Sequence, residues 1–481
     1  MGRPRPVSRV FNLPSPSGQS RYSRLLGDGK LARMSPSRRD FLISSTAAAL
    51  TSSRILGAND RVQLGFIGYG LMGAQHVETF KRQPDADLAA VCDVYQPRLA
   101  QGLAACGPSA KGYADFRRLL DAKEIQAVVV ATPDHWHVPL SLLACAAGKD
   151  VYVEKPLSLF VREGRWLVTA ARRYGRIVQA GSQQRSGLHY ARAAQLVASG
   201  HIGKVHTARL GAFRNVMPGF GTPPDSAPPP GLDYDLWLGP APARPYNPLR
   251  SLYHFRWFWD YSGGQMTNLG AHELDVVHWF MGTQAPQAVA SSGGRLALQD
   301  SGETPDTQDA LLEYPGFTAL WSHREASLGR GRGEGMEFFG TRGSLAITRD
   351  GFEIFPDIHS APENKIPQFR GQPPGGPRRH PEVPSAPWTE SVKERASNDL
   401  LAAHARNFLD CVKSRQRPAA DVEDAHRTAT ACHLANISLR LGRKIRWDAA
   451  KEEIVGDTEA AAMLERPFRL PWDDILGGLK G

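Results

Sequence analysis

The sequence predicts two domains, an α/β domain with a parallel sheet followed by a second, sheet-based α+β domain. Of its residues 41% are hydrophobic and 22% are charged, which is typical of a globular protein. At 481 residues the chain is too long for one ordinary hydrophobic core. Up to about residue 181, apolar strand-like runs alternate with helical stretches. Beyond residue 182 the pattern changes to short strand-like runs separated by long loops rich in proline and glycine.

The distribution of charge argues against a nucleic-acid-binding protein. The formal net charge is +10, but residues 1–58 hold ten Lys/Arg and two Asp/Glu. The remaining chain therefore carries 48 basic and 46 acidic residues, which is nearly neutral. Without a basic surplus, the folded part gives no electrostatic reason to expect binding to a phosphate backbone.

The cysteines and histidines do not indicate a metal site. The five cysteines are widely spread and include no CxxC pair, so neither a disulfide framework nor a zinc ribbon is expected. His135 and His137 lie two residues apart without a third ligand beside them. We therefore predict no bound metal and interpret these two histidines as residues that line a cofactor or cap a helix.

The first 58 residues are predicted to be a disordered N-terminus that contains an export signal. Arg38 and Arg39 precede a short apolar run that ends by Leu50 and is too short to span a bilayer. Paired arginines before such a run resemble a twin-arginine signal, which is an address read by a receptor. The resemblance implies export to the periplasm by the twin-arginine machinery, with no membrane-spanning segment.

A strand, a glycine-rich turn and a helix open the first domain. The run VQLGFI at 62–67 is followed by GYGLMG and then by the helical stretch AQHVETFKR. In this context a GxGxxG motif predicts a dinucleotide site, because its glycines permit a tight turn, close approach of the pyrophosphate and close packing of helix on strand. The helix N-terminus adds free N–H groups. The residues predicted to contact the cofactor here are Gly68, Tyr69, Gly70, Leu71, Met72 and Gly73.

An acidic residue strengthens the prediction of a dinucleotide site. The second strand, LAAVCD, ends in Asp93, twenty residues after Gly73. A carboxylate at this place can accept hydrogen bonds from the adenosine ribose hydroxyls, and it would repel a ribose phosphate. We therefore expect NAD rather than NADP.

Two further strand-like runs end in polar residues. They are AVVVAT at 127–132 and VYVEK at 151–155, and IVQAG at 177–181 completes the sheet. Because the carboxyl ends of parallel strands line the ligand crevice, we expect the polar residues there to surround the cofactor. These residues are Thr132, Pro133, Asp134, His135, His137, Glu154 and Lys155.

Four segments together resemble the Gfo/Idh/MocA family from about residue 60 to 448. They are GFIGYGLMG, ATPDHWH, the triplet EKP at 154–156 and NLGAHELD at 268–275. The resemblance implies a Rossmann domain followed by a largely antiparallel open sheet, with the active site between them. It also implies nicotinamide chemistry on sugars, inositols or related alcohols, and assembly into a homo-oligomer through the open sheets.

The resemblance assigns roles to three residues. Lys155 matches the EKP lysine, which in the family lies beside the reacting carbinol and the nicotinamide, where a cation favours the developing alkoxide. His272 matches the histidine usually given the proton-transfer role, which suits the pKa of imidazole. Asp275 follows three residues later and is expected on the same helical face, where it can orient the substrate or the histidine.

The chain departs from the family at one catalytic position. Many family dehydrogenases carry aspartate four residues before the histidine, and this chain has Asn268. An amide cannot accept a proton, so Asn268 is expected to hydrogen-bond a sugar hydroxyl instead. The departure leaves open a redox-neutral enzyme that cleaves or epimerises a glycoside with bound NAD.

The second domain is predicted to hold the substrate. Trp257, Trp259 and Tyr261 alternate along a potential strand, where they form either an aromatic platform for a sugar or part of the core. Gln183 and Arg185 lie where the family places substrate or cofactor contacts. With Lys155, Asn268, His272 and Trp257, these two complete the predicted substrate-binding set.

The domain boundaries follow from these patterns. We predict a Rossmann domain at 59–181, a substrate domain at 182–448 and a C-terminal arm at 449–481. Within the second domain, residues 362–395 are expected to lack strands, and 396–442 to form two helices.

Three functions remain open on the sequence alone. The first is an NAD(P)-dependent oxidoreductase acting on a sugar, inositol or polyol. The second is the redox-neutral cycle, and the third is a non-catalytic NAD-binding protein, which would need neither Lys155 nor His272.

Overall fold

A computed structural model describes residues 61–329, 333–358 and 386–480 of the chain. The predicted signal within residues 1–58 lies outside these described residues. None of the helices in the described ranges is both long and apolar enough to cross a membrane.

The first sheet has six strands, and all of them run parallel. Strands of β-branched and aromatic residues are covered on both faces by helices, which explains why the central strands are buried almost throughout. The strands are β1 (Val62–Ile67), β2 (Ala86–Cys92), β3 (Lys111–Tyr113), β4 (Ala127–Val130), β5 (Asp150–Val153) and β6 (Val178–Ala180). The helices are α1 (Leu71–Lys81), α2 (Gln96–Cys106), α3 (Phe116–Asp121), α4 (His137–Ala146) and α5 (Val161–Arg173).

The strand order is β3-β2-β1-β4-β5-β6. The order reverses between β1 and β4, so the connections after these two strands leave in opposite directions. In such sheets a crevice opens at the carboxyl ends of the strands on either side of the reversal. This crevice is where the predicted glycine turn and the segment after β4 meet.

The second sheet has ten strands and is mixed but mostly antiparallel. Its strands are β7 (Val205–Phe213), β8 (Ala288–Gly294), β9 (Thr307–Tyr314), β10 (Phe317–Arg324), β11 (Glu334–Gly340), β12 (Gly343–Thr348), β13 (Gly351–Pro356), β14 (Val392–Arg395), β15 (Ile445–Asp448) and β16 (Glu453–Ile454). Their order is β14-β13-β12-β11-β7-β10-β9-β8-β15-β16, and among the described residues only β7 and β10 pair in parallel. The predicted fold class is therefore confirmed.

Helices cover one face of the second sheet. Along β10, Phe317, Ala319 and Trp321 are buried in alternation, because every second side chain points to the helical layer. The helices of this part are α6 (Leu188–Ala198), α7 (Tyr234–Leu238), α8 (Gly264–Asn268), α9 (Gly270–Met281), α10 (Leu400–Ser414), α11 (Val422–Leu441), α12 (Thr458–Ala462) and α13 (Trp472–Gly477).

Two local expectations were wrong. The aromatic run before α8 is not a strand: residues His254–Trp257 form a 3₁₀ turn, so the side chains of 257, 259 and 261 do not alternate across a sheet. The stretch 362–395 was expected to lack strands, but Val392–Arg395 pairs with β13 at the sheet edge. Residues 359–385 lie outside the described part of the chain.

The first part of the predicted C-terminal arm joins the second domain, where β16 pairs with β15, and the residues from Arg466 onward pack on the first domain. The ring centroid of Trp472 lies 4.8 Å from that of Trp136 and 6.1 Å from that of Phe116. Arg466 forms a buried ion pair with Glu163 of α5, with 2.8 Å between Nε and Oε1. The arm therefore ties the end of the chain to the cofactor domain.

Candidate active site

The glycine turn has the backbone geometry that the motif predicts. Gly68 has φ +91°, and a Cβ there would lie 2.7 Å from the carbonyl oxygen of Ala131. A Cβ on Gly73 would lie 2.0 Å from the carbonyl oxygen of Gly68. Only glycine allows the strand, the turn and the helix to pack this closely.

The N-terminus of α1 is open to an anion. Gly70 precedes the helix, no side chain caps it, and its first turn has no acidic residue. A Cβ on Gly70 would meet only the Nη1 atom of Arg98, at 3.6 Å. Free N–H groups at the positive end of a helix fit a pyrophosphate, so these residues would hold that part of NAD.

Asp93 supports the glycine turn and also faces the cavity. Its two carboxylate oxygens accept hydrogen bonds from the backbone N–H groups of Tyr69 (2.7 Å) and Tyr95 (2.9 Å). Burial raises the pKa of Asp93, and this effect is larger than the lowering caused by the two hydrogen bonds. Each oxygen keeps a second lone pair, which suits ribose hydroxyls.

One open cavity runs from the glycine turn to the second domain, with about 1080 Å³ of space that includes solvent at its mouth. Most of the predicted cofactor-binding residues line it. They are Gly68, Gly70, Leu71, Met72, Asp93, Thr132, Pro133, His137, Glu154 and Lys155.

Lys155 reaches across the cavity to the second domain. Its Nζ donates hydrogen bonds to the side-chain oxygen of Asn268 (2.8 Å) and to the backbone oxygen of the same residue (3.1 Å). Both acceptors are uncharged, and burial lowers the pKa of Lys155 to about 8. An ammonium group has three N–H donors, so one remains for a ligand.

A buried pair fixes the strand end that carries Lys155. Glu154 accepts hydrogen bonds from His76 of α1 (2.7 Å) and Gln183 (3.3 Å) at the same oxygen. Its other oxygen accepts the backbone N–H of Lys155 (3.1 Å). Burial raises the pKa of Glu154, but the hydrogen bond from His76 and the charge of Lys155 outweigh it and keep that pKa below its usual value. Gln183 thus positions Glu154 and is not among the cavity-lining residues.

His272 lies one turn beyond Asn268 and is buried. Its Nδ1 atom has no hydrogen-bond partner among the described residues. Burial, and then the charge of Lys155, hold its pKa well below the ordinary value, so its imidazole is neutral. His272 does not line the cavity, although it is close enough for Lys155 to affect its pKa.

Asp275 does not face the cavity. It forms a bidentate ion pair with Arg185, with 2.8 Å between Nε and Oδ2 and 2.9 Å between Nη2 and Oδ1. Thr428 of α11 donates a further hydrogen bond to it (3.3 Å). Asp275 and Arg185 therefore join two segments beneath the site.

The remaining predicted residues lie outside the cavity lining. Trp257 is buried, with the Phe220 ring stacked at a centroid distance of 5.8 Å and the Arg214 guanidinium 5.0 Å from its ring. His135 is buried against the Trp237 carbonyl oxygen, 3.0 Å from its Nε2 atom. Tyr69 and Gly73 shape the turn but are not cavity-lining residues.

The sequence analysis did not predict several cavity residues, among them Arg98 and Ser262. Arg98 follows Asp93 by five residues, and this spacing after an acidic strand end was a usable signal. Arg256 and Ser262 come from the second domain, within a run that was assigned to a strand. Ser262 donates a hydrogen bond to the buried carboxylate of Asp134, across the crevice. No local pattern predicts that contact.

Family models match both parts of this chain. An oxidoreductase family model with an NAD-binding Rossmann fold matches residues 62–182. The C-terminal alpha/beta domain of the same oxidoreductase family matches residues 212–293 and 390–474. The chain belongs to the Gfo/Idh/MocA oxidoreductase family. Its first domain is an NAD-binding Rossmann domain.

Individual relatives agree with this assignment. The chain is 25% identical to myo-inositol 2-dehydrogenase of Thermotoga maritima, over 82% of this chain and 100% of the relative. It is 30% identical to inositol 2-dehydrogenase 2 of Saccharopolyspora erythraea, over 60% of this chain and 73% of the relative. GenD2 from gentamicin A biosynthesis, solved in complex with NAD, shares the fold. Its TM-score is 0.59 at 22% identity, over 83% of this chain and 100% of that chain.

Proposed function

We propose that this Gfo/Idh/MocA protein oxidises an alcohol carbon of a sugar, an inositol or a related polyol by hydride transfer. The observation that carries the proposal is the position of Lys155. Its Nζ lies on Asn268 in the same cavity that begins at the glycine turn. The similarity to inositol dehydrogenases supports a polyhydroxylated substrate.

Each residue at the Lys155 end of the cavity has a separate role in the proposed reaction. Bound NAD supplies the hydride acceptor. The free N–H of the Lys155 ammonium binds the substrate oxygen and stabilises negative charge as it develops there. His272 is neutral because burial lowers its pKa, but it does not line the cavity, so the hydroxyl proton reaches it through an intervening group or water. Asn268 holds Lys155 and presents its amide to a neighbouring hydroxyl.

The test is cofactor reduction with a panel of inositols, aldoses and their glycosides. Purified protein is mixed with NAD and each compound, and the absorbance of reduced nicotinamide is followed. Lasting reduction that Lys155→Ala abolishes supports the dehydrogenase. A panel without any response favours the non-catalytic NAD-binding protein and contradicts the proposal.

A second candidate is a redox-neutral cycle in which the same NAD is reduced and reoxidised. Two observations favour it. Asn268 stands where many family dehydrogenases have an acid, and residues 231–262 close over the cofactor crevice. Asp233 donates its backbone N–H to the Val94 oxygen (2.9 Å), and Trp136 donates Nε1 to the Trp237 oxygen (3.0 Å).

Cofactor retention separates the two candidates. Protein purified without added NAD is denatured and its nucleotide content is measured. A nearly stoichiometric content, with glycoside cleavage and only transient reduction, supports the cycle. Protein that is isolated empty and turns over only with added NAD supports the dehydrogenase.

We further propose that the chain is exported by the twin-arginine route. The proposal rests on Arg38 and Arg39 before a short apolar run. A reporter fused after residue 60 should be exported, and replacing both arginines by lysine should retain it in the cytoplasm. Export that survives this replacement would contradict the proposal.

A further inference from the structure

Two arginines line the cavity without a carboxylate partner among the described residues. Arg98 lies at the glycine-turn end, beside Gly70, and donates only to the Leu252 oxygen at 3.5 Å. Arg256 lies close enough to Lys155 to affect its pKa. Burial is the main cause of the lowered pKa of Lys155, and the positive charge of Arg256 lowers it further. Their backbone acceptors are adjacent residues, and the two cations differ in what else they face, Gly70 for Arg98 and Lys155 for Arg256.

The side chain of Arg256 is held in place with most of its donors free. Its Nη1 donates to the Tyr253 oxygen at 2.9 Å. The guanidinium lies 5.2 Å from the Tyr253 ring and 4.8 Å from the Phe255 ring, measured to the ring centroids. A guanidinium has five N–H donors in a planar fork, so several remain to bind a ligand.

Arg256 shares this end of the cavity with Lys155 and with two acids, neither of which forms a salt bridge with it. Lys155 is bound only by the neutral oxygens of Asn268. Asp134 accepts a hydrogen bond from Ser262, and burial raises its pKa while the charge of Arg256 helps to lower it. Glu154 is already bound by His76 and Gln183.

Groups other than Arg256 are available to bind the phosphates of the dinucleotide. The pyrophosphate fits the open N-terminus of α1, and Arg98 lies beside it. Arg256 comes from the second domain, in the 3₁₀ turn that precedes α8, the helix that carries Asn268. Its fork is thus available to a group on the molecule that Lys155 binds.

We propose that Arg256 selects an acidic substrate, a sugar or polyol that carries a carboxylate near the reacting hydroxyl. The inference rests on the proposed function and narrows its substrate class. A planar carboxylate matches the guanidinium fork, and such charge-assisted bonds are shorter and stronger than neutral ones. A neutral sugar would offer the Arg256 fork no charged acceptor, and no described carboxylate forms a salt bridge with it.

The test measures binding, so that it does not depend on turnover. NAD-loaded protein is titrated by calorimetry with D-glucuronate, D-galacturonate and D-mannuronate, and with the matching neutral aldoses. We expect at least one acid to bind about 10- to 100-fold more tightly than its aldose, the range of one charged hydrogen bond. Arg256→Gln should remove this preference and leave the Kd for NAD within about twofold.

Arg98→Gln is the matched control, and it should weaken NAD binding while keeping the acid preference. If Arg256→Gln fails to fold, Arg256→Lys keeps the charge without the fork and should lose most of the preference. Equal binding of acid and aldose in all three pairs overturns the inference. Weakened NAD binding in Arg256→Gln, as in Arg98→Gln, also overturns it and assigns the cation to the cofactor phosphates. Acid binding without nicotinamide reduction would instead contradict the proposed oxidation.

Discussion

The two ends of the cavity are built in different ways. The glycine-turn end comes from one continuous stretch, in which β1, the turn, α1 and Asp93 lie within 62–93 and are fixed by backbone hydrogen bonds. The Lys155 end joins residues more than a hundred positions apart, from two domains. The first end is therefore a local device for binding NAD. The second depends on how the domains pack, and it is where specificity arises.

Replacing Lys155 should have the largest effect on activity, and it should impair catalysis while leaving NAD binding intact. Lys155→Ala is expected to lower the rate of nicotinamide reduction about 10³-fold, since it removes the charge at the developing oxyanion. NAD binding at the glycine turn should remain, as measured by fluorescence titration. Lys451→Ala, which changes an exposed lysine, is the control. Near-normal turnover of Lys155→Ala would remove this residue from the mechanism.

Breaking the ion pair beneath the Lys155 end should destabilise the protein. Arg185→Met leaves the buried Asp275 carboxylate without its bidentate partner, which is expected to cost about 3 kcal/mol in the free energy of unfolding. Urea unfolding checks this value. The double variant with Asp275→Asn should recover most of the loss. An unchanged unfolding midpoint for Arg185→Met would show that the pair does not join these segments.

Filling the glycine turn tests the local end. Gly73→Ala puts a Cβ 2.0 Å from the Gly68 oxygen, so we expect weaker NAD binding and a loss of about 2 kcal/mol in stability. Gly477→Ala meets no atom within 4 Å and should leave both unchanged. Normal NAD affinity in Gly73→Ala would mean that the backbone of the turn can move to accommodate a Cβ, and would contradict this prediction.

The smallest expected effect is a shift in pH dependence. The pKa of Lys155 is about 8, so its ammonium is present below this pH and is lost as the pH rises through it. Activity that needs the charge should fall on this alkaline limb. Asn268→Asp adds a carboxylate to the Lys155 contact, which raises that pKa and should move the limb about one unit to higher pH. If the alkaline limb of the activity profile does not move in Asn268→Asp, a group other than Lys155 causes it.

The sequence predicted the cofactor end almost completely. Strand bounds for β1, the positions of the three glycines and the place of Asp93 follow from patterns that are contiguous in the chain. The missed residue at this end, Arg98, was also within reach of sequence spacing. Local geometry was predictable here because each of these residues acts through its own backbone or its near neighbours.

The second end was predicted less well. The aromatic run before α8 has the alternation of a strand, but it forms a 3₁₀ turn that packs Trp257 into the interior. Helical spacing suggested one face for Asn268, His272 and Asp275. Only Asn268 lines the cavity, because Asp275 is bound to Arg185 and His272 is buried away from the lining. Periodicity predicts which residues share a face, but the packing of neighbouring segments decides which of them reach the cavity.

The sequence by itself determined that the chain carries a dinucleotide turn, an EKP lysine and a downstream histidine. Only the tertiary structure decided that Lys155 binds Asn268, that Arg185 neutralises Asp275 and that Arg256 faces the cavity without a counterion. The physical reason is distance along the chain. Contacts within one turn or strand are set by backbone geometry, whereas contacts between domains are set by burial and by the need of each buried charge for a partner.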